Sequence, residues 1–400
     1  PIQAPDPTVG APGMGDPLFP LEGNGGIDVQ HYLLDIAWDA STQAIAAEAT
    51  LTISPTQTLS AFDLDFHGLS IDDVTVDGTA ASFARSDDEL TITLLENVEV
   101  GEEFVVTIAY NGTPDEVVGS VGSGWQATDD GAFVLAEPIG AKNWFPSNNH
   151  PADKASYTLQ VTVPTGYQVA ANGVLSDSSI NGEVNGGTQT YTFAADAPIA
   201  TYLVTVAIGR FDVEESTSSG GIPIVNYLFA DGTAENRAPF AHQGEMLDFF
   251  STRFGPYPFN VAGAIQIGQG LGVALETQTR PIYGAETSVN TVAHELAHQW
   301  FGNDVSLATW DLTWLKESFA TYGEWLWQEE SEGRDALDFR VVTVYESLMG
   351  VQYVAKAQLP MLIEALELPD TLLSQETVAE LLAFPTGRIE ADMPLLAPLN

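Results

Sequence analysis

The stretch His294-Glu295-Leu296-Ala297-His298 constrains this chain more than any other. Residues four apart stand one above the other, a single turn apart, on one face of an α-helix, so the pattern points to helix here. Two imidazoles stacked on that face can grip one zinc ion, and the carboxylate beside them can activate a zinc-bound water. Only six histidines exist in 400 residues, and two are spent here. At this composition a chance match arises in about one percent of chains. The spacing predicts a helix over 288–301, with Ser288 as N-cap and Gly302 beyond its end. Without a metal, burying two histidines and two carboxylates would be costly.

Two histidines leave zinc short of a third protein ligand and of an open position for water. Glu317 is the candidate, nineteen residues after His298 on a second helix expected over 314–332, capped by Thr313 and stopped by Gly333. The turn residues Gly302-Asn303-Asp304 and Trp310-Asp311 bring that helix back beside the first. Glu324, seven residues on, lies on the same face and can accept the outer N–H of a ligand histidine. Glu295 is the candidate general base, taking a proton from water and returning it to the leaving amine.

The charge excludes some partners. Twelve basic residues stand against 55 acidic ones, a net charge of −43, with lysine only at 142, 154, 316 and 356. Phosphates would be repelled, so nucleic acid is not a partner. Such a surface keeps proteins apart in solution, and it also suits high salt, where screening quenches self-repulsion. No run of 18 apolar residues encodes a membrane span. Cysteine is absent, which removes disulfides and thiolate chemistry. The expected location is secreted or cell-surface, with the cytoplasm, including that of a high-salt organism, as the alternative.

Residues 1–27, rich in Pro and Gly, read as an extended arm on the surface. From 28 to 213 the pattern is all-β, of sandwich or saddle type, with strands expected near 32–38, 51–53, 104–108, 157–163 and 202–207. Asn-Gly pairs at 111–112, 172–173 and 185–186 mark turns. A polar, hinge-like stretch over 214–222 precedes a short α/β portion, and helical periodicity then continues through 383. The second domain is therefore assigned to 214–400.

Beyond the first motif, His294 through Asn303 followed by Trp314-Leu315-Lys316-Glu317-Ser318-Phe319-Ala320 resembles the M1 family of zinc aminopeptidases. That family carries H-E-x-x-H, eighteen residues, then Glu within an N-E-G-F-A-like run, here altered at Lys316 and Ser318. The resemblance implies an N-terminal β-saddle domain followed by an α+β, thermolysin-like catalytic domain that holds one zinc per chain. Val273-Ala274-Leu275-Glu276-Thr277 occupies the place of the family's G-A-M-E-N loop. Glu276 is thereby implied to bind the free α-amine of a peptide substrate, and Ala274 to line the substrate edge. In the stretch Glu137 to Ala155, Glu137 stands where the family places a second acidic contact to the amine. Leu135 replaces the expected Gln, so the side-chain pocket is altered. His150, beside Pro151, reads as a loop residue rather than a ligand.

The family's oxyanion-donating Tyr follows the ligand Glu by about sixty residues. The window 375–385 holds none, and Tyr345 and Tyr353 read as packing residues. The expectation is a chain that ends before that Tyr, with the catalytic domain incomplete. The function implied is removal of N-terminal residues from peptides. The rivals are a zinc endopeptidase or epoxide hydrolase on the same site, and a non-catalytic scaffold. An acidic lining points to basic or small neutral side chains at the substrate's first position.

Overall fold

The computed structural model describes residues 8–115, 124–181 and 187–347. The 185–186 turn, the helical pattern after 347, Tyr353 and the 375–385 window lie outside the described residues.

Period-two alternation builds the first half. Along Lys154–Pro164, every second residue from Ala155 to Val163 is buried, so one face turns to the core. This strand pairs in parallel with Ile27–Trp38, which in turn pairs antiparallel with Ile45–Pro55. The three belong to an eight-stranded sheet that also holds Phe104–Gly112. A four-stranded sheet that includes Gly131–Leu135 leads the chain directly to Glu137. Tyr32, Phe145 and Tyr157 form an aromatic nucleus, with Tyr32 and Tyr157 stacked at 4.8 Å between centroids.

Three sequence expectations need correction. The run 202–207 is not one strand: Thr201–Leu203 is a 3-10 turn and the strand is Val206–Gly209. The Asn172 amide donates to the Leu203 carbonyl and its oxygen accepts from Thr205 N–H, so the backbone there bonds to a side chain instead of a ladder. The 214–222 stretch is not a hinge. Phe211–Thr217 and Pro223–Phe229 form an antiparallel hairpin, and Asp248 accepts from Ser219 and Gly220 N–H at its tip. The sheet of the second half therefore opens at Phe211. Nor is the arm loosely draped: Asp16, Glu22 and Asn24 are buried, and Glu22 pairs with Lys142.

The second half of the chain places a five-stranded sheet against helices. Its order is Phe211–Thr217, Pro223–Phe229, Ala262–Gln266, Ile282–Tyr283, Ala274–Leu275, which puts the last at the edge, immediately before Glu276. The three longer helices among the described residues are, in chain order, α1 (Gln243–Phe254), α2 (Val289–Ala297) and α3 (Thr313–Glu332). Met246 and Phe250 of α1, Val292 and Leu296 of α2, and Trp300 fill one apolar core. Small residues allow α2 and α3 to cross closely. A Cβ on Gly323 would lie 2.6 Å from the Cβ of Ala297, closer than two carbons tolerate.

The compact unit that holds the sheets, α1, α2 and α3 as far as Trp327 ends there, and a second begins at Gln328, within the last turns of α3. Within the second, residues 334–347 are helical after Gly333, whose φ is +90°.

Candidate active site

The local sequence builds α2 as expected. Ser288 caps it, accepting from Thr291 N–H at 3.0 Å. Helical backbone continues into His298, and Gly302 then adopts φ +121°, a conformation that favours glycine. Thr313 is not the cap of α3. It is already helical, and a 3-10 turn over Trp310–Leu312 leads into it.

Because α2 and α3 cross so closely, Glu317 meets both histidines. His294 Nε2 and His298 Nε2 lie 3.1 Å apart, and Glu317 Oε2 is 3.4 Å from the first and 3.6 Å from the second. Ligands at ordinary zinc distances stand about 3.3 Å apart around a tetrahedral ion. The triangle thus matches one face of a zinc tetrahedron and leaves the fourth corner for water. The outer nitrogens have partners too. His298 Nδ1 donates to the Phe301 carbonyl at 3.0 Å, and His294 Nδ1 faces Glu324 Oε2 at 3.6 Å. Both contacts place the free lone pair on Nε2, where a metal needs it.

The electrostatics agree with a cation site. Burial opposes charge on His294, but Glu317 and Glu324 outweigh it and push its pKa up to about 10. Burial would raise Glu317, yet hydrogen bonds from both histidines and the nearby Lys316 hold it well below the usual carboxylate range. The metal-free pocket is thus proton-loaded, and zinc would take the proton's place. Glu295 is buried, and burial with repulsion from Glu276 pushes it up to about 7 against the attraction of the two histidines.

Glu276 and Glu137 converge on the same place from 139 residues apart in sequence. An oxygen of each lies within 4.8 Å of a Glu317 oxygen and of each other. Glu276 is buried, and its carbonyl accepts from Gln299 Nε2 at 3.2 Å and Asn303 Nδ2 at 2.7 Å. The residues just after His298 therefore hold the candidate amine anchor in register with the zinc triangle. Ala274 pairs across the edge with Tyr283. His150 is not in the site: it is buried among β-domain loops and pairs with Asp16 at 3.2 Å.

Sequence reasoning missed the role of Lys316. Its ammonium lies 2.5 Å from Glu276, 2.7 Å from Glu317 and 2.8 Å from Glu137, and 5.7 Å from the Tyr202 ring centroid. Burial opposes its charge, but the carboxylates hold its pKa far above the usual lysine range. One signal was available: one of only four lysines sits beside the proposed third ligand. It also missed a cavity of about 350 Å³ lined by Leu18, Phe19, Leu135, Glu137, Leu275 and Trp310 among others. Its lining is mostly apolar, unlike the acidic lining expected.

A β-rich domain that brings a carboxylate to a two-histidine, one-glutamate triangle on crossed helices has the ligand set of the zinc metallopeptidase class. Residues 28–203 match the Peptidase M1 N-terminal domain and residues 265–362 the Peptidase family M1 domain. The M1 zinc metallopeptidase from Deinococcus radiodurans is similar at 30% identity and a TM-score of 0.77, over 84% of this chain and 78% of that one. The chain belongs to the M1 peptidase family. Arabidopsis thaliana Aminopeptidase M1 is 29% identical over 64% of this chain and 32% of its own length. Human glutamyl aminopeptidase is 32% identical over 49% of this chain and 22% of its own. The chain spans about a third or less of these two curated relatives.

Proposed function

We propose that the protein is a zinc-dependent aminopeptidase that binds one zinc per chain and cleaves the first residue from peptides with a free N-terminus. The observation that carries this reading is the carboxylate pair Glu137 and Glu276 beside the His294, His298, Glu317 triangle. A carboxylate pair there, with Glu276 buried and Glu137 partly so, favours an ammonium and leaves room for one residue before the scissile bond. An endopeptidase has no use for such an anchor. Relatives named aminopeptidases support the reading, as does a mutant of the Deinococcus enzyme solved with a Tyr-Ser-Ala substrate.

When bound, zinc would lower the pKa of its water toward about 7 and polarise the scissile carbonyl. Glu295 removes the proton from the attacking water; a base held near neutrality does this well and can return the proton to the leaving amine. Glu324 orients His294, and the Phe301 carbonyl orients His298. Lys316 offsets one of the three clustered carboxylate charges, and the site left negative attracts an incoming ammonium.

The test is hydrolysis of aminoacyl p-nitroanilides with free and acetylated amines, with and without chelator, alongside zinc content. Chelator-sensitive cleavage of the free forms alone is expected. Cleavage of the acetylated forms would move the assignment to an endopeptidase, and a zinc-free, inactive protein would favour a scaffold.

A further inference from the structure

The arm before the first strand reaches the candidate active site, and resting on the aminopeptidase reading, we propose that Leu18 and Phe19 form one wall of its side-chain pocket and make it select bulky apolar N-terminal residues. The mostly apolar cavity of about 350 Å³ is lined by these two residues together with Leu135, Leu275, Trp310 and Glu137. Its volume lies near the small end of ligand pockets, which suits one side chain rather than an extended peptide.

The cavity adjoins the amine anchors. Glu137 both lines it and bonds Lys316, and Leu275 immediately precedes Glu276. An amino-acid residue whose ammonium rests on Glu137 and Glu276 therefore has this space within reach of its side chain.

The arm is built into this place. Asp16 is buried; its Oδ1 accepts from Leu18 N–H at 2.8 Å and Phe19 N–H at 3.0 Å. Its other oxygen, Oδ2, accepts from Trp310 N–H at 2.7 Å and pairs with His150 Nε2 at 3.2 Å. One carboxylate thus ties the arm's turn to the segment that leads into α3, two sides of the same cavity. The Phe19 ring meets the Trp310 ring edge-on at 6.1 Å. Leu18 remains 59% exposed, an apolar side chain left in part to solvent where a substrate would cover it. Asp16 acts as a positioning residue.

The experiment uses the full-length, zinc-loaded protein and p-nitroanilides of Leu, Phe, Ala, Arg and Glu. Wild type is expected to show kcat/KM for Leu and Phe at least about 10-fold above Ala, Arg and Glu, the discrimination an apolar pocket supplies. Phe19→Ala and Leu18→Asp should shrink the preference for Leu and Phe over Ala, taken as a ratio of kcat/KM within each variant, about 10-fold, mostly through KM. Leu18→Asp carries little folding risk because the side chain is largely exposed, and an unchanged zinc content and circular dichroism spectrum report an intact centre. Comparable rates on Arg or Glu, or an equal fall on all five substrates, would overturn the pocket assignment while leaving the aminopeptidase reading standing. Absence of free-amine cleavage in wild type overturns both.

Discussion

Replacing Lys316 with Met tests whether the ammonium holds the carboxylate cluster together. The side chain keeps its length and loses its charge. In the wild type Lys316 and Glu276 side chains are 1% and 4% exposed and 2.5 Å apart. Removing one member of such a buried pair leaves an uncompensated charge and costs about 3–5 kcal/mol. The contacts to Glu137 and Glu317, 25% and 44% exposed, add little because water screens them. The loss should depend on pH. Burial raises Glu276, and Lys316 with His298 overcomes it to hold the group below its usual value. Stability from that depressed pKa is present above the unfolded carboxylate value and is lost on acidification. In the variant burial prevails and the sign reverses, so the folded state is weakened as pH rises. Urea unfolding of the metal-free proteins at pH 5 and 8 measures both effects. The expected gap is about 3–5 kcal/mol at pH 8 and smaller at pH 5. A gap below about 1 kcal/mol at pH 8, or one wider at pH 5, would refute the account.

Glu295→Gln should retain zinc and lose about 10²–10⁴ in kcat, measured by metal analysis and steady-state kinetics, because the amide cannot accept the proton. Glu324→Gln should weaken zinc binding about 10- to 100-fold, read by competition with a chromogenic chelator, since His294 loses its charged orienting partner. Burial pushes Asp153 up to about 7, so its contribution is fully present below the unfolded value of about 3.9 and lost as pH rises through about 7. Asp153→Asn should accordingly be more favourable at pH 8 than at pH 5 by about 1–3 kcal/mol, checked by denaturation at both values. The net charge of −43 predicts that raising salt from about 0.1 M to about 1 M, which shortens the screening length from about 10 Å to about 3 Å, increases stability; an unchanged or lower melting temperature would argue against repulsion as a governing force.

What the sequence determined was local. The i, i+4 spacing of His294 and His298 dictated a helix and a shared face, and Ser288 and Gly302 marked its approximate limits, because capping and periodicity are short-range. Alternation announced the strands around Tyr157-Thr158-Leu159 for the same reason. Local reading failed where one distant group claimed the backbone, as when Asn172 bent 202–205 away from a strand and Asp248 gathered the tip of the hairpin after 217. Only the tertiary structure decided that Lys316 joins the carboxylates. Glu137 comes from a β-strand exit, Glu276 from a sheet edge and Lys316 from a helix, and their convergence depends on Gly323 letting α3 lie against Ala297. The arm's place beside Trp310 rests on Asp16, 294 positions away in the chain. Sequence spacing carries no information on such closures, because they are set by how whole elements pack.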